Sequence, residues 1–355
     1  MLKAICERLK IGNVNIGDRF ASYSVTSKND LLKIFSIFDK SPLNTSKNLN
    51  YLMLKKGYQL YFNKDASKGN FTELKKELMT LKNLMNQKRV DFKQPVEHRI
   101  NISPYWLLGF VEAEGYFSIA KTNHSLEFGI GQTLSELKVL EAIRNFLLNL
   151  PGSYKITRSD TNVVGINIDN KAKNENSKPM AKIKVNKTDY ITNILVPFFD
   201  NLNWLSKKEL DYIDWKLILS IKNQGKHFTK EGQELITLIS KRMNLNRLST
   251  NPDTLSVINL QERILKLLSS PSNYEIHPDG KIWIKSSGVY LKGRGNINIE
   301  VFDDKGLLVN SFDSIKECAL FFGVSDRTII RRLDKGAFCI FEGQNLIVKR
   351  VVSLP

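Results

Sequence analysis

Apolar and polar positions recur along this chain with helical or strand spacing almost everywhere, and one stretch departs from both. Tyr105 to Gly115 reads YWLLGFVEAEG, apolar at nearly every position until two glutamates close it. Ser103 supplies an N-cap, Pro104 a first helical residue and Gly115 a stop, so the stretch predicts a short helix. Being apolar on most faces, that helix is expected to be buried. Gly109 in its middle costs roughly 1 kcal/mol relative to alanine, which predicts close approach of another helix backbone. Gly115 is expected to serve the same packing. Glu112 and Glu114 fall at the C-terminal end, where the helix dipole disfavours negative charge and a cation would relieve it.

Two-residue alternation predicts strands at Tyr116–Thr122, Ser153–Asp160, Val163–Asp169 and Ala181–Lys187, with one face packed and the other able to enter a major groove. Lys155, Arg158, Lys182 and Lys184 are the candidate nucleic-acid contacts on those strands. Leu74, Leu78, Leu81 and Leu84 recur at helical spacing among lysines and predict an amphipathic linker helix within 69–100.

The chain also repeats itself. Val25–Tyr51 and Val185–Tyr212 share Phe-Asp, Leu, Ser-Lys and Leu-x-Tyr in order, about 161 residues apart. Each copy predicts a strand end, a helix starting near Asp30 or Asp189, and a second helix capped by Ser46 or Ser206. Gly12 and Gly152 also correspond, at about 140 residues; a polar insertion around Asn170–Met180 accounts for the difference.

Charge narrows the partner. Lysine and arginine outnumber aspartate and glutamate by 53 to 36, a formal charge of +17, so the surface field attracts polyanions, nucleic acid first. Cys6, Cys318 and Cys339 are odd in number and lack metal-ligand spacing, which disfavours a disulfide framework and a zinc site. No run of about 18 apolar residues predicts a membrane span.

With an aromatic before it and Tyr-Phe-Ser-Ile after it, LLGFVEAEG resembles the motif of the LAGLIDADG homing endonucleases and their intron-maturase relatives. Phe128–Leu147 and Lys222–Arg247 resemble later segments of that family, so the resemblance covers residues 1 to about 248. It implies a mixed α+β chain whose antiparallel sheets form a DNA-binding saddle. It also implies metal-dependent, site-specific cleavage of double-stranded DNA encoded by a mobile intron, with Mg²⁺ or Mn²⁺ as cofactor. By the motif's position, Glu114 is the metal ligand and Glu112 is structural. Lys207 or Lys208 and Lys226 are the candidate basic catalysts, and Lys47 is the first copy's counterpart as a phosphate contact. Cleavage-inactive assistance to splicing, with intron RNA as partner, and a degenerate remnant remain open.

One motif stands where two repeats would carry two. The spacing puts the first copy's motif about 25 residues upstream of Met1. The expected organisation is therefore a truncated first repeat at 1–68, a linker helix at 69–100 and a complete second repeat at 101–248. A monomer follows if the upstream motif is supplied, and a dimer through Tyr105–Gly115 otherwise. The turn-rich stretch 249–298 reads as a linker that could hold a degenerate module. Residues 299–340 form a hairpin followed by two helices, with Asp313 or Ser314 and then Ser325 as caps and Gly323 as the break. This resembles the NUMOD1-type module appended to homing endonucleases, with Arg327, Arg331 and Arg332 on its second helix placed for DNA. The family resemblance also implies a mitochondrial, organelle-encoded protein.

Overall fold

The computed structural model describes residues 1–18, 20–62, 71–86, 89–154, 162–169, 178–244, 257–277, 281–291, 298–312, 314–341 and 343–351. Helix α1 (Leu2–Leu9) and the hairpin β1 (Asn13–Ile16) and β2 (Ala21–Ser24) lead into α2 (Lys28–Lys40), α3 (Lys47–Phe62) and α4 (Phe71–Asn83). The linker helix therefore ends at Asn83 instead of running to 100. Leu81 is its buried anchor, whereas Leu84 is exposed. The chain beyond follows the first copy in an extended path. His98 Nε2 lies 2.9 Å from the Leu43 carbonyl, while Asn44 and Asn101 exchange two side-chain–backbone hydrogen bonds of 2.8 Å.

The expected buried helix is α5 (Pro104–Glu114), its first turn held by the Trp106 N–H donating to Ser103 Oγ at 3.2 Å. It passes without a loop into β3 (Gly115–Ile119), followed by β4 (Leu126–Thr133), α6 (Leu137–Leu148), β5 (Gly165–Asp169) and β6 (Met180–Val185). These strands form an antiparallel sheet in the order β3-β4-β6-β5. Phe117, Phe128, Ile130, Ile183 and Val185 point inward and are fully buried. Leu107, Leu108 and Val111 of α5 join the same core, each buried side chain contributing about 1.5–3 kcal/mol. Residues 188–200 make a helix, α7, with a π turn at Ile191–Leu195 just before Pro197, which has no N–H to give. Helices α8 (Lys208–Asn223) and α9 (Lys230–Lys241) complete the unit, with Trp215 fully buried and its Nε1–H donating to the Ser118 carbonyl at 3.1 Å.

The repeat holds at the level of single hydrogen bonds. Tyr51 Oη donates to Asp39 at 2.6 Å and to the Phe35 carbonyl at 3.2 Å, and Lys55 pairs with Asp39. In the second copy, Tyr212 Oη donates to Asp200 at 2.7 Å and to the Val196 carbonyl at 3.1 Å, and Lys216 pairs with Asp200. Each second-copy residue lies 161 positions after its first-copy counterpart. The first helix of copy one starts at Lys28, near Asp30 as expected, and is capped by Ser27, whose hydroxyl accepts the Asp30 N–H.

Beyond the repeats, α10 (Val257–Ser269) buries Leu260 and Ile264 in the second copy's core, and its Arg263 pairs with Glu231 and Glu234. A small sheet of β7 (Tyr274–Ile276), β8 (Ile282–Ile284) and β9 (Val289–Tyr290) is seated against the turn after α8. There Asn273 Nδ2 donates to the Gly225 carbonyl at 2.8 Å and its backbone N–H to the Gln224 carbonyl at 2.9 Å. The Tyr274 ring lies where a Cβ on Gly225 would be, 2.8 Å away, and Gly225 has φ +67°. This stretch, expected as a linker, is thus packed onto the second copy.

The last module has its own core. Strands β10 (Asn298–Phe302) and β11 (Leu308–Phe312) and helices α11 (Ile315–Phe321) and α12 (Asp326–Lys335) form the expected hairpin and helix pair. Ser314 and Ser325 cap the helices by accepting from Glu317 N–H and Thr328 N–H, while Asp313 lies outside the described residues. Two further strands, β12 (Phe338–Phe341) and β13 (Gln344–Val351), complete a sheet of order β11-β10-β13-β12, so the module extends past 340. Among the described residues, no helix is long and apolar enough to cross a membrane.

Candidate nuclease site

The two acids of α5 have different surroundings. Glu112 turns back toward the start of α8, where one of its oxygens, Oε1, accepts the Leu205 N–H at 2.7 Å and the Ser206 N–H at 2.5 Å. Those amides precede a helix and have no intrahelical acceptor, so the carboxylate satisfies them and complements the positive end of α8. Glu114, two residues on, is exposed, and no hydrogen bond or ion pair holds its carboxylate among the described residues. One acid is thus a brace and the other is available.

Gly115 permits this geometry. A Cβ there would lie 2.7 Å from the Val111 carbonyl, so only glycine lets the chain leave the helix at Glu114 and enter β3 at once. Gly109 departs from the expectation of a packed backbone. Nothing lies within 4 Å of where its Cβ would be, and Tyr105, Gly109 and Ala113, at i, i+4 and i+8, form an exposed stripe. The helix is buried on one side only; Trp106 and Phe110, stacked at 4.9 Å, are half-exposed beside the open stripe.

Lys207 stands directly after the amides bound by Glu112 and is exposed, with no ion pair among the described residues. Lys208 pairs instead with Asp211 at 3.6 Å. In the first copy Lys47 is likewise exposed at the start of α3, but the neighbouring Ser46 N–H is taken by Glu136, whose two oxygens accept it at 3.0 and 3.1 Å. That buried glutamate belongs to the second copy, so it ties the two repeats together.

Lys226 does not join this site. It is 2% exposed, and its ammonium donates to the carbonyls of Leu267, Leu268 and Ser270 at the end of α10. It also follows the far end of the 16-residue α8, about 24 Å along the helix axis from the Glu112-bound amides. Its catalytic assignment is therefore corrected to that of a helix-end clamp.

The outward face of the β3-β4-β6-β5 sheet carries Lys182 and Lys184, as alternation requires. Lys182 lies across Gly131, whereas Lys184 pairs with Glu127 at 3.2 Å. Glu127, which the alternation alone could have flagged as outward, also accepts from Tyr116 Oη at 2.8 Å. Burial first, and Glu127 second, push the Tyr116 phenol well above its usual pKa, so it stays a donor. Lys155 and Arg158 lie outside the described residues. On α12, Arg327 and Arg331 are exposed and in line with Lys335, while Arg332 donates to the Phe338 carbonyl at 2.6 Å and anchors the helix to β12.

Among the described residues no three His, Cys, Asp or Glu side chains cluster as a ready-made metal site. A free carboxylate such as that of Glu114 still suits a hydrated divalent cation, which can be held by one or two carboxylates together with substrate phosphates.

The LAGLIDADG endonuclease family model matches residues 1–58 and 107–219, and the NUMOD1 domain model matches 297–333. An "Uncharacterized mitochondrial protein RF1" of Saccharomyces cerevisiae is 25% identical over 325 residues, covering 85% of this chain and 63% of its own. A "Probable intron-encoded endonuclease 3" of Neurospora crassa is 29% identical over 257 residues, covering 65% of this chain and 44% of its own. The chain thus spans less than two thirds of the length of either relative. Of solved structures, the LAGLIDADG homing endonuclease I-GzeII in complex with its DNA target aligns with a TM-score of 0.57 at 23% identity, over 69% of this chain and 84% of that one. I-SmaMI bound to cleaved DNA gives 0.56 at 23%, over 69% and 82%. Both show the shared fold.

Proposed function

We propose that this chain is an intron-encoded, site-specific DNA endonuclease, on the match of the LAGLIDADG endonuclease family model to residues 1–58 and 107–219 and of the NUMOD1 domain model to 297–333. It hydrolyses phosphodiesters in a double-stranded target, with Mg²⁺ or Mn²⁺ as cofactor and mitochondria as its compartment. The observation that carries this reading is the division of labour at the end of α5. Glu112 is committed to two backbone amides, which fixes the helix end, Glu114 two residues on is left free, and Lys207, the residue after those amides, is exposed.

Glu114 would hold the metal, which when bound activates water and stabilises the leaving oxygen. Lys207 offers its charge to the same phosphate, where negative charge grows during hydrolysis. Glu112 occupies the amides at the start of α8, so phosphate cannot bind there in competition, and Lys207 keeps its place relative to Glu114. The open Tyr105–Gly109–Ala113 stripe has room for a second helix of the same kind, which would bring a second acid to the metal. Lys182 on the sheet, and Arg327 and Arg331 on α12, supply duplex contacts.

The test is cleavage of intronless target DNA by the purified chain with Mg²⁺. A discrete double-strand break that disappears in Glu114→Gln, with duplex binding retained, is the expected result. Cleavage that persists in Glu114→Gln would overturn the assignment.

A further inference from the structure

The outward face of the sheet holds an acid that the cleavage chemistry does not use. Register fixes which residues share that face. Tyr116, Gly129, Lys184 and Gly165 form one row across the four strands, and Gly131, Lys182 and Asn167 form another. Glu127 stands beside the first row, opposite Ser118. Its Oε1 accepts from Tyr116 Oη at 2.8 Å and its Oε2 from Lys184 Nζ at 3.2 Å. Gly129 makes the first of these bonds possible, because a Cβ there would lie 2.4 Å from both Cζ and the hydroxyl of Tyr116. The tyrosine therefore lies flat across the strand and reaches the carboxylate. The side chains of Glu127 and Lys184 are 26% and 36% exposed, so the held carboxylate still opens to solvent.

Such an acid is out of place on a phosphate-binding surface. The chain carries a net charge of +17, and a carboxylate facing the duplex backbone would only repel it. What can reward it is a donor. A carboxylate accepts about four hydrogen bonds; two are used here, leaving a lone pair on each oxygen. In the major groove cytosine presents a donor, its N4 amino group. Adenine pairs its amino donor with the acceptor N7, and guanine and thymine present acceptors that a carboxylate opposes.

We propose that Glu127 reads cytosine at one position of the duplex target, with Tyr116 and Lys184 holding its carboxylate in a single orientation. The inference rests on the DNA-binding reading above and adds a specificity determinant to it. It also makes Lys184 a positioning residue for Glu127 and leaves Lys182, among the described residues, as the lysine of that face without an ion pair.

The test is selection by the full-length chain from a pool of random-sequence duplexes, followed by sequencing of the bound fraction. The wild type enriches a consensus containing a required cytosine. In Glu127→Gln the preference for cytosine at that pair falls roughly 10- to 100-fold, the discrimination carried by one good base contact, and the rest of the consensus is unchanged. Gly129→Ala keeps the carboxylate but displaces Tyr116, and broadens the same position; it guards against a Glu127 variant that fails to fold. A consensus identical in wild type and both variants overturns this proposal alone. Failure of the wild type to enrich any sequence overturns the DNA-binding reading, and this proposal with it.

Discussion

Lys226→Met separates a structural lysine from a chemical one. Methionine keeps most of the apolar stem and removes the ammonium, so the carbonyls of Leu267, Leu268 and Ser270 lose their shared donor. They belong to the last turn of α10 and to the residue just past it, where carbonyls lack intrahelical partners and the dipole favours a cation. Hydrogen bonds to a charged group contribute about 1.5–3 kcal/mol each. Three of them sharing one donor are not additive, and the buried ammonium carries a desolvation cost of several kcal/mol. That cost has the same origin as the lowered pKa of Lys226, which burial causes. The balance leaves about 2–4 kcal/mol of destabilisation. Urea unfolding of the full chain should show a lower midpoint, and amide hydrogen exchange in Val257–Ser269 should quicken. Cleavage per folded molecule should stay near wild type, since the lysine sits at the end of α8 away from Glu114. An unchanged midpoint with abolished cleavage would refute this account and return Lys226 to the catalytic machinery.

Two further outcomes follow from the same packing. His227 is pushed down to about 4 by burial first, then by Lys222 and His124, from an ordinary 6.5. A depressed histidine means the unfolded chain binds the proton more tightly. The stabilisation is therefore present above pH 6.5 and drains away as the pH falls toward 4. Partial exposure reduces it to roughly 1–2 kcal/mol lost between pH 7 and pH 5, and His227→Gln should flatten that part of a urea-midpoint profile; an equally steep profile in the variant would count against it. Tyr51→Phe and Tyr212→Phe each remove one hydroxyl held by an aspartate and a carbonyl, and each should cost about 1 kcal/mol. Their effects should add in the double variant, because the sites belong to different repeats; a cost in one copy alone would mean the two triads are not equivalent.

What the sequence disclosed was chiefly local. Ser103, Pro104 and Gly115 bound the motif helix, and Ser314, Gly323 and Ser325 bound the last two helices, because caps act within a few residues of themselves. The repeat was legible because its spacing needs no structure to be seen. Lys226 shows the opposite case. Its neighbourhood in GKHFTKEG suggests a surface lysine near the chemistry, and nothing local announces three carbonyls more than forty residues downstream. Strands β12 and β13 alternate visibly, with Cys339, Leu346 and Val348 inward, but β10, which pairs with β13, lies across two intervening helices. Gly109 predicted a close helix neighbour, and its stripe is uncovered by any described residue.

The two copies agree where they build scaffold and differ where they present charge. The Tyr-Asp-Lys triad recurs with matching partners, so the α2–α3 and α7–α8 pairs are one architectural unit used twice. At the start of the second helix of each pair, an N–H of Ser46 or Ser206 needs a carboxylate, and here the copies diverge. Ser206 receives it from Glu112, two residues before a free acid, whereas Ser46 receives it from Glu136, which has no such companion. A brace drawn from the motif helix couples the position of α8 to that of Glu114; a brace drawn from the strand–helix junction after β4 couples the first copy to the second. The same electrostatic need, a helix start lacking acceptors, thus orients a candidate active-site acid in one repeat and fastens the repeats together in the other.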